Sequence, residues 1–433
     1  MNKKIRAALA LAGCCFALPA LAQDLVISNA HILDGTGNAV ERGTIIVRDG
    51  RIAAIGANAT ARDGGSAANA GSDLRPSAAP ANAVRIDAGG RTVMPGFIDA
   101  HRHVIQGDPA RWLAEQSEAR MREFLEAGFT TVLSAIDAPE QILELRRRTD
   151  SGDTLGPRII SAALVPLSRA SFGGGGDPAR TDPARLPNRP VGPPAPAIPP
   201  EETLAAVRAA AARGHDAIKT LIIVTMDGPE KATLKLIADE AERLGLLCIT
   251  HAVSVIDTVA AVEAGTDILV HTPHIGQLDE ATAKKIADAN LPMVSTLGVF
   301  VPYFNDANMP LFRDRQQFPF DTLSSAGQGP VNARLLFQAG ITYAYGTDTT
   351  WAPRDSLEHE LRPLHLVFSH DDLVPIMTRN AAIAVGRGKD LGTLEVGKIA
   401  DIVILGDDPL QSEEALLDVD VVVKGGKVVV GGN

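Results

Sequence analysis

The stretch Val93-Met94-Pro95-Gly96-Phe97-Ile98-Asp99-Ala100-His101-Arg102-His103-Val104 decides how the rest of the chain is interpreted. Its first half is apolar and favours a β-strand, with one interruption at Pro95-Gly96. Side chains two residues apart point to the same side of a strand, so His101 and His103 face one point in space. Two imidazoles that converge in this way form half of a zinc-type site. Taken alone, the pair is equally compatible with two structural histidines.

Beyond this stretch, apolar strands alternate with amphipathic helices. Strand patterns occur at 94–100, 129–136, 158–165, 217–224, 246–251, 267–271, 292–297 and 341–347. Helical patterns lie between them at 113–127, 201–213, 231–244, 254–264, 280–290 and 331–339. Eight strands that alternate with helices predict a closed (β/α)8 barrel of the TIM type. An open doubly wound sheet is the alternative, but no Gly-x-Gly-x-x-Gly motif follows the first strand.

Short strand patterns without helices occupy both ends of the chain. Residues 24–55 contain three of them, and the tight turn Asp49-Gly50 joins the last two. The segment after Ala400 contains three more, with a turn at Lys424-Gly425-Gly426. We predict that the two ends form one small β-sandwich domain. The predicted ranges are 23–93 and 390–433 for this domain and 94–389 for the barrel.

The first 22 residues have the pattern of a secretory signal peptide. Three basic residues precede an apolar run at 7–17, and Ala20-Leu21-Ala22 forms a small-x-small cleavage site. The sequence therefore predicts an exported protein, periplasmic or secreted. The alternative is a lipid anchor through Cys14, because Leu11-Ala12-Gly13-Cys14 resembles a lipoprotein cleavage box.

Charge and cysteine content exclude several classes of partner and of stabilising bond. The formal net charge is −11, and it becomes −14 when the three basic residues of the predicted signal are removed. A chain this acidic, without a basic run, is poorly suited to nucleic acid or to an anionic membrane surface. We therefore expect a small-molecule substrate, no nucleic acid and no membrane span, while a homo-oligomer stays open. After signal cleavage only Cys248 remains, so no internal disulfide can form.

One insertion interrupts the barrel pattern after the third strand. Residues 171–200 contain four consecutive glycines, Gly173–Gly176, and a dense run of prolines. Barrel enzymes carry their chemistry on the loops that follow the strands. We interpret this segment either as a substrate-covering loop or as a surface excursion.

Six polar residues lie at or near the C-terminal ends of predicted barrel strands: His101, His103, Lys219, His251, His271 and Asp348. Each one alone is compatible with a structural role. Together they converge on the rim of a barrel where catalysis takes place. Four imidazoles and a carboxylate, without a thiolate, suit Zn²⁺ or a similar divalent ion. Five other histidines have no such strand-end position in the barrel, and we interpret them as structural: His31, His215, His359, His365 and His370.

These motifs resemble the amidohydrolase superfamily over essentially the whole predicted mature chain. The matching segments are Pro95–His103, Asp216–Lys219, Thr250–Ala252, Asp267–His271, Gly346–Asp348, Asn380–Ala382 and Gly392–Val403. The chain is most similar to the branch of imidazolonepropionase-like hydrolases and Xaa-Pro-type dipeptidases. One departure is Ala252-Val253-Ser254, where some peptidase members carry an aromatic residue that contacts the substrate carboxylate.

The resemblance implies a binuclear centre with two zinc or similar divalent ions. His101, His103 and Asp348 would hold one ion, and His251 and His271 the other. Lys219 would bridge them as an N-carboxylated lysine. We expect a metal-bound hydroxide to attack an amide bond of the peptide or N-acyl amino acid type. Asp348 would be the catalytic residue that transfers the proton.

Alternative functions and substrate contacts stay open at this stage. Hydrolysis of a cyclic amide or a lactone, or deamination, with one or two metals, is the second hypothesis. A non-catalytic metal-binding protein is the third. Arg169, Arg180 and Arg354 are candidates to bind a substrate carboxylate, with ordinary surface residues as the alternative. His274 is a further substrate-binding candidate, and it competes with His271 for the ligand position.

Overall fold

A computed structural model describes residues 24–57, 82–170, 190–300 and 325–432. The predicted signal peptide with Cys14, and residues 171–189 of the predicted insertion, lie outside these ranges. The strands are, in chain order, β1 Leu25–Leu33, β2 Ala39–Arg48, β3 Arg51–Gly56, β4 Val84–Asp87, β5 Thr92–Pro95, β6 Phe97–Arg102, β7 Phe129–Ser134, β8 Arg158–Leu164, β9 Ala217–Leu221, β10 Leu247–His251, β11 Ile268–Val270, β12 Pro292–Val294, β13 Thr342–Ala344, β14 Ile402–Leu405, β15 Val419–Lys424 and β16 Lys427–Val430.

Helices follow most of the strands from β6 onward. They are α1 Pro109–Glu115, α2 Ser117–Glu126, α3 Pro139–Ser151, α4 Pro200–Arg213, α5 Glu230–Leu244, α6 Val255–Ala264, α7 Glu280–Ala287, α8 Leu297–Phe300, α9 Ser325–Gln338, α10 Pro353–His365, α11 His370–Met377 and α12 Arg379–Ala384. A short 3₁₀ helix, Glu413–Leu417, lies between β14 and β15. Among the described residues, no helix combines the length and the apolar character needed to cross a bilayer.

Two eight-stranded sheets make up the fold. The first has the order β16-β15-β14-β5-β1-β2-β3, with β4 paired to β1. Strands from the two ends of the chain meet in it where β5 pairs antiparallel with β14. The second sheet is parallel and runs in order from β6 to β13. It closes through hydrogen bonds from Ala100 N to Tyr345 O (3.0 Å) and from Asp348 N to His101 O (2.8 Å). The predicted (β/α)8 barrel with a second sheet from the chain ends is confirmed.

The chain passes from the first sheet into the barrel at Gly96. Its N–H donates to the carbonyl of Asp401 at 2.9 Å, which ties the crossing point to the strand that follows Asp401. A Cβ atom at position 96 would lie 2.4 Å from Thr130 Oγ1, so only glycine fits. The Pro95-Gly96 break therefore divides the single strand predicted at 94–100 between two sheets.

The core lies inside and around the barrel. Alternate residues of the barrel strands, such as Ile98 and Leu133, form an inner cluster that also includes Ala381 and Ala382 of α12. A separate cluster of β-branched and aliphatic side chains fills the first sheet. Packing of these clusters fixes the strands, and the strand ends carry the polar residues.

Element lengths differ from the sequence patterns in several places. The helix predicted at 113–127 is two helices, α1 and α2, that meet at Gln116. The strands predicted at 292–297 and 341–347 are the three-residue strands β12 and β13. Their remaining residues form the turns that carry functional side chains. Glycines with positive φ follow four of the helices, at Gly128, Gly245, Gly265 and Gly340.

Candidate metal centre

The carboxyl ends of the barrel strands bring the polar candidates together. His101 lies in β6 and His103 directly after it, while Lys219 lies in β9. The other three occupy the last residue of β10 (His251), the residue after β11 (His271) and the fourth residue after β13 (Asp348). Parallel strands of one barrel place all of these ends on the same rim.

The carboxylate of Asp348 lies at the centre of the cluster. Its Oδ1 is 3.2 Å from His101 Nε2 and 3.0 Å from His103 Nε2. Its Oδ2 is 3.9 Å from His271 Nε2. Burial alone would raise the pKa of Asp348, but hydrogen bonds from His101 and His103 hold it well below the ordinary value. The carboxylate is therefore ionised at neutral pH.

Lys219 is buried beside the same imidazoles. Its Nζ lies 3.4 Å from His101 Nε2, and only 1 % of the residue is exposed. Burial lowers the pKa of the Lys219 amine to about 7, because a charge away from water is costly. Burial, followed by repulsion from Lys219, also lowers the pKa of His101 to about 3. At neutral pH the Lys219 side chain is therefore a neutral amine in a large fraction of the molecules. The neutral amine, unlike the ammonium, has a lone pair.

His251 and His271 form the other side of the cluster. Their rings lie 4.1 Å apart between centroids at an angle of 76°. His271 Nδ1 is 2.6 Å from the hydroxyl of Thr296, and this contact leaves Nε2 directed toward Asp348. Thr296 follows β12, the one barrel strand from β9 onward that lacks a ligand candidate. Its position at a strand end was the signal that could have identified it.

Unusual backbone conformations accompany these positions. His271, Thr296 and Asp348 have φ values of 78°, 44° and 53° without being glycine. Such conformations cost free energy and persist where the surrounding structure enforces them. Close packing at Gly346 helps to hold the backbone next to Asp348 in this conformation, since a Cβ at position 346 would lie 3.0 Å from His101 Cβ.

A buried polar network holds β6 against the turn that carries Asp348. Asp99 accepts hydrogen bonds from the Thr347 hydroxyl at 2.8 Å and from His101 N at 3.1 Å. Arg102 donates to the hydroxyls of Thr347 (3.0 Å) and Thr349 (2.9 Å). Sequence reasoning assigned no role to Asp99 and Arg102, although both lie within the His-x-His stretch. They orient the ligand-bearing backbone on both sides of the barrel seam.

The candidate substrate contacts have other partners. Arg169 pairs with Glu202, an exposed carboxylate, at 2.7 Å. Arg354 donates to the carbonyl of Leu417 in the 3₁₀ helix. His274 is buried and stacks on Phe300, with ring centroids 4.1 Å apart. His271, and not His274, belongs to the group of ligand atoms around Asp348.

The donor set fits a divalent cation. His101, His271 and Asp348 each offer a ligand atom, and these atoms lie within 4.8 Å of one another. His271 Nε2 is buried and has no hydrogen-bond partner among the described residues, which is costly without a ligand. Imidazole nitrogens and carboxylate oxygens are donors that zinc-type ions prefer.

Comparison with known proteins places this arrangement in a family. The model of the amidohydrolase family matches residues 92–429. The chain belongs to the amidohydrolase family. This confirms the family predicted from the motifs.

Curated relatives of this amidohydrolase include imidazolonepropionases. The enzyme of Symbiobacterium thermophilum is 26% identical over 412 residues, which cover 84% of this chain and 83% of that one. The enzyme of Shouchella clausii is 40% identical over 111 residues. The matched segment is 24% of this chain, and in this match the chain spans about a quarter of the relative's length.

Solved structures agree with the fold. A Xaa-Pro dipeptidase with bound methionine superposes with a TM-score of 0.69 at 20% identity, covering 94% of this chain and 100% of that one. The ochratoxinase of A. niger gives 0.70 at 22% identity, covering 95% and 96%. Identities this low support the shared architecture only.

Proposed function

We propose that this amidohydrolase cleaves an amide bond at a binuclear metal centre. His101, His103 and Asp348 would hold one zinc or similar ion, and His251 and His271 a second. An N-carboxylated Lys219 would bridge the two ions. The proposal rests on the Asp348 carboxylate, which three imidazoles surround. Lys219 is buried beside one of them, and among the described residues no carboxylate lies within ion-pair distance of its amine.

The residues of the chain have distinct parts in this chemistry. Bound divalent cations supply Lewis acidity at the cluster, which lowers the pKa of a water molecule and polarises a carbonyl. Asp348 would accept a proton from the attacking water as the C–O bond forms. It would then deliver that proton to the nitrogen as the C–N bond breaks. Thr296 would keep His271 in the tautomer that leaves Nε2 for the ion.

The proposed substrate is a small amide of the peptide or N-acyl amino acid type. A second candidate is a cyclic amide. The match to an imidazolonepropionase over 84% of this chain favours it, since an imidazolone ring is a cyclic amide. Lactone hydrolysis and deamination, with one or two metals, complete the alternatives. A panel of Xaa-Pro and other dipeptides, N-acyl amino acids, cyclic amides and lactones separates these candidates by the product formed.

We also propose that the protein is exported, with cleavage after Ala22. The support is the basic residues, apolar run and small-x-small site within residues 1–22. Lipid anchoring through Cys14 is the alternative form of the same proposal.

The substitution Asp348→Asn tests the function. It retains an oxygen donor but cannot take a proton, so we expect kcat/KM to fall by about 10²–10⁴-fold. The substrate is the panel member that the wild-type enzyme hydrolyses fastest, and metal content is measured on the same samples. Asp355→Asn, an exposed carboxylate in the first turn of α10, is the matched control. Full activity of Asp348→Asn would refute the proton-transfer role.

A further inference from the structure

A second cluster of metal-binding side chains lies outside the candidate metal centre. It consists of His365, His370 and Glu413, each of which offers one ligand atom within 4.8 Å of the others. It shares no residue with the group around Asp348. Two of its members are histidines that the sequence patterns left as structural. We propose that these three residues form a second site for a divalent ion of the zinc type, with a structural function.

The distances fit such an ion. Glu413 Oε2 lies 3.0 Å from His370 Nε2 and 3.6 Å from His365 Nδ1. Zinc binds nitrogen and oxygen ligands at about 2.0–2.1 Å in a tetrahedron, which separates neighbouring ligand atoms by roughly 3.3 Å. The two observed separations lie on either side of this value. Both nitrogens contact the same carboxylate oxygen, Glu413 Oε2. The two imidazole rings are stacked, at 16° with centroids 4.9 Å apart.

The composition of the cluster indicates which ion it would take. Two imidazoles and one carboxylate form a set without thiolates, which suits zinc better than calcium or magnesium. The side chains are partly exposed, at 24% for each histidine and 11% for the glutamate. Water can therefore complete the coordination sphere as a fourth ligand.

The three ligands belong to three separate elements. His365 is the last residue of α10, His370 the first of α11, and Glu413 the first of the 3₁₀ helix Glu413–Leu417. The first two elements belong to the barrel, and the third lies between two strands of the first sheet. An ion bound here would cross-link the C-terminal segment to the barrel. Because it would bind the folded chain only, it would stabilise this contact.

Metal counting on the full-length protein tests the site. Wild-type protein, Glu413→Gln and His370→Gln are stripped with a chelator, reloaded with Zn²⁺ at low micromolar free concentration, and analysed for zinc per chain. We expect each variant to hold one zinc fewer than the wild type. Glu414→Gln, which changes the neighbouring carboxylate, should match the wild type. Because the comparison is a difference, it does not depend on how many ions the barrel rim holds.

A second measurement uses the wild-type chain and so does not depend on how well a variant folds. Hydrogen exchange of backbone amides in 365–370 and 413–417 should slow by at least about tenfold when Zn²⁺ is added to stripped protein. Glu413→Gln should lose that protection while keeping hydrolytic activity. Equal zinc content in wild type and both variants, or exchange in these segments that does not respond to Zn²⁺, would show that the cluster is a hydrogen-bonded group only.

Discussion

The protonation state of Lys219, and with it the reactivity of its amine, is set by the burial of the side chain. Lys219 lies in the middle of β9 beside the imidazole of His101, and burial lowers the pKa of its amine to about 7. A buried lysine usually pairs with a carboxylate, because an unpaired buried charge is expensive. Reaction of the neutral amine with carbon dioxide would turn a cation into an anionic ligand, which is the reason we place it between the two proposed ions.

Lys219→Ala should reduce the metal content by one or both ions per chain, because it removes the only proposed bridging ligand. Elemental analysis of purified protein measures this directly. Lys424→Ala is a matched control. Lys424 is also largely buried, but its Nζ donates to Gly156 O at 2.6 Å and it lies in the first sheet, so its removal should leave the metal content unchanged. An unaltered metal content in Lys219→Ala would remove the bridging proposal.

At the scale of elements, the turn between β12 and α8 connects the candidate site to α10. Glu360 of α10 is fully buried and accepts hydrogen bonds from Ser295 Oγ (2.7 Å), Leu297 N (2.8 Å) and Gly298 N (2.6 Å). These bonds fix the backbone around Thr296, which contacts His271. A helix of the barrel's outer layer thus supports the residue that orients a proposed ligand at the strand ends.

The pH dependence of stability should report on Glu360. Burial raises the pKa of its carboxyl from 4.5 to about 8, so the folded state retains a proton that the unfolded chain releases. The stabilising contribution is complete below the unfolded pKa, and it is lost as the pH rises through the folded pKa. Glu360→Gln cannot titrate. We therefore expect the Tm of the wild type, relative to Glu360→Gln, to fall steadily between about pH 5 and pH 8. A constant difference over this range would contradict the assignment.

Sequence patterns located the elements better than they located the element ends. All eight barrel strands were predicted, since each is a short apolar run before a polar residue. Helices α3, α8 and α10 to α12 were not singled out. Proline lies inside α10 at Pro363 and inside α11 at Pro375, where a local rule predicts a break. Packing against the barrel overrides that rule, as it does for most short helices.

At the scale of the whole molecule, Asp401 joins the two sheets. Its carboxylate lies 2.7 Å from Arg158 Nη1 at the start of β8 and accepts a hydrogen bond from Gly425 N at 2.7 Å. Its own carbonyl accepts the N–H of Gly96 at the crossing between the sheets. Only 5% of the Asp401 side chain is exposed, so the ion pair is shielded from solvent.

Asp401→Ala should lower the free energy of unfolding by about 3–5 kcal/mol, because it leaves the charge of Arg158 buried without its partner. Denaturant unfolding followed by circular dichroism measures the loss. Arg158→Met combined with Asp401→Leu should recover part of it. Glu115→Ala breaks the exposed pair with Arg111 and should cost less than about 1 kcal/mol. Similar losses for the buried and the exposed pair would show that Asp401 does not couple the sheets.

The sequence by itself determined the alternation of strands and helices, the join between the chain ends, and the six polar residues at strand ends. Those features are local: they follow from the periodicity of apolar residues and from the residue that ends each strand. Only the tertiary structure decided that Thr296 and Glu360 support His271, that Arg169 and Arg354 have other partners, and that His365 and His370 meet Glu413. Such contacts join residues far apart in the chain, and their distances depend on how the elements pack, which no local pattern encodes.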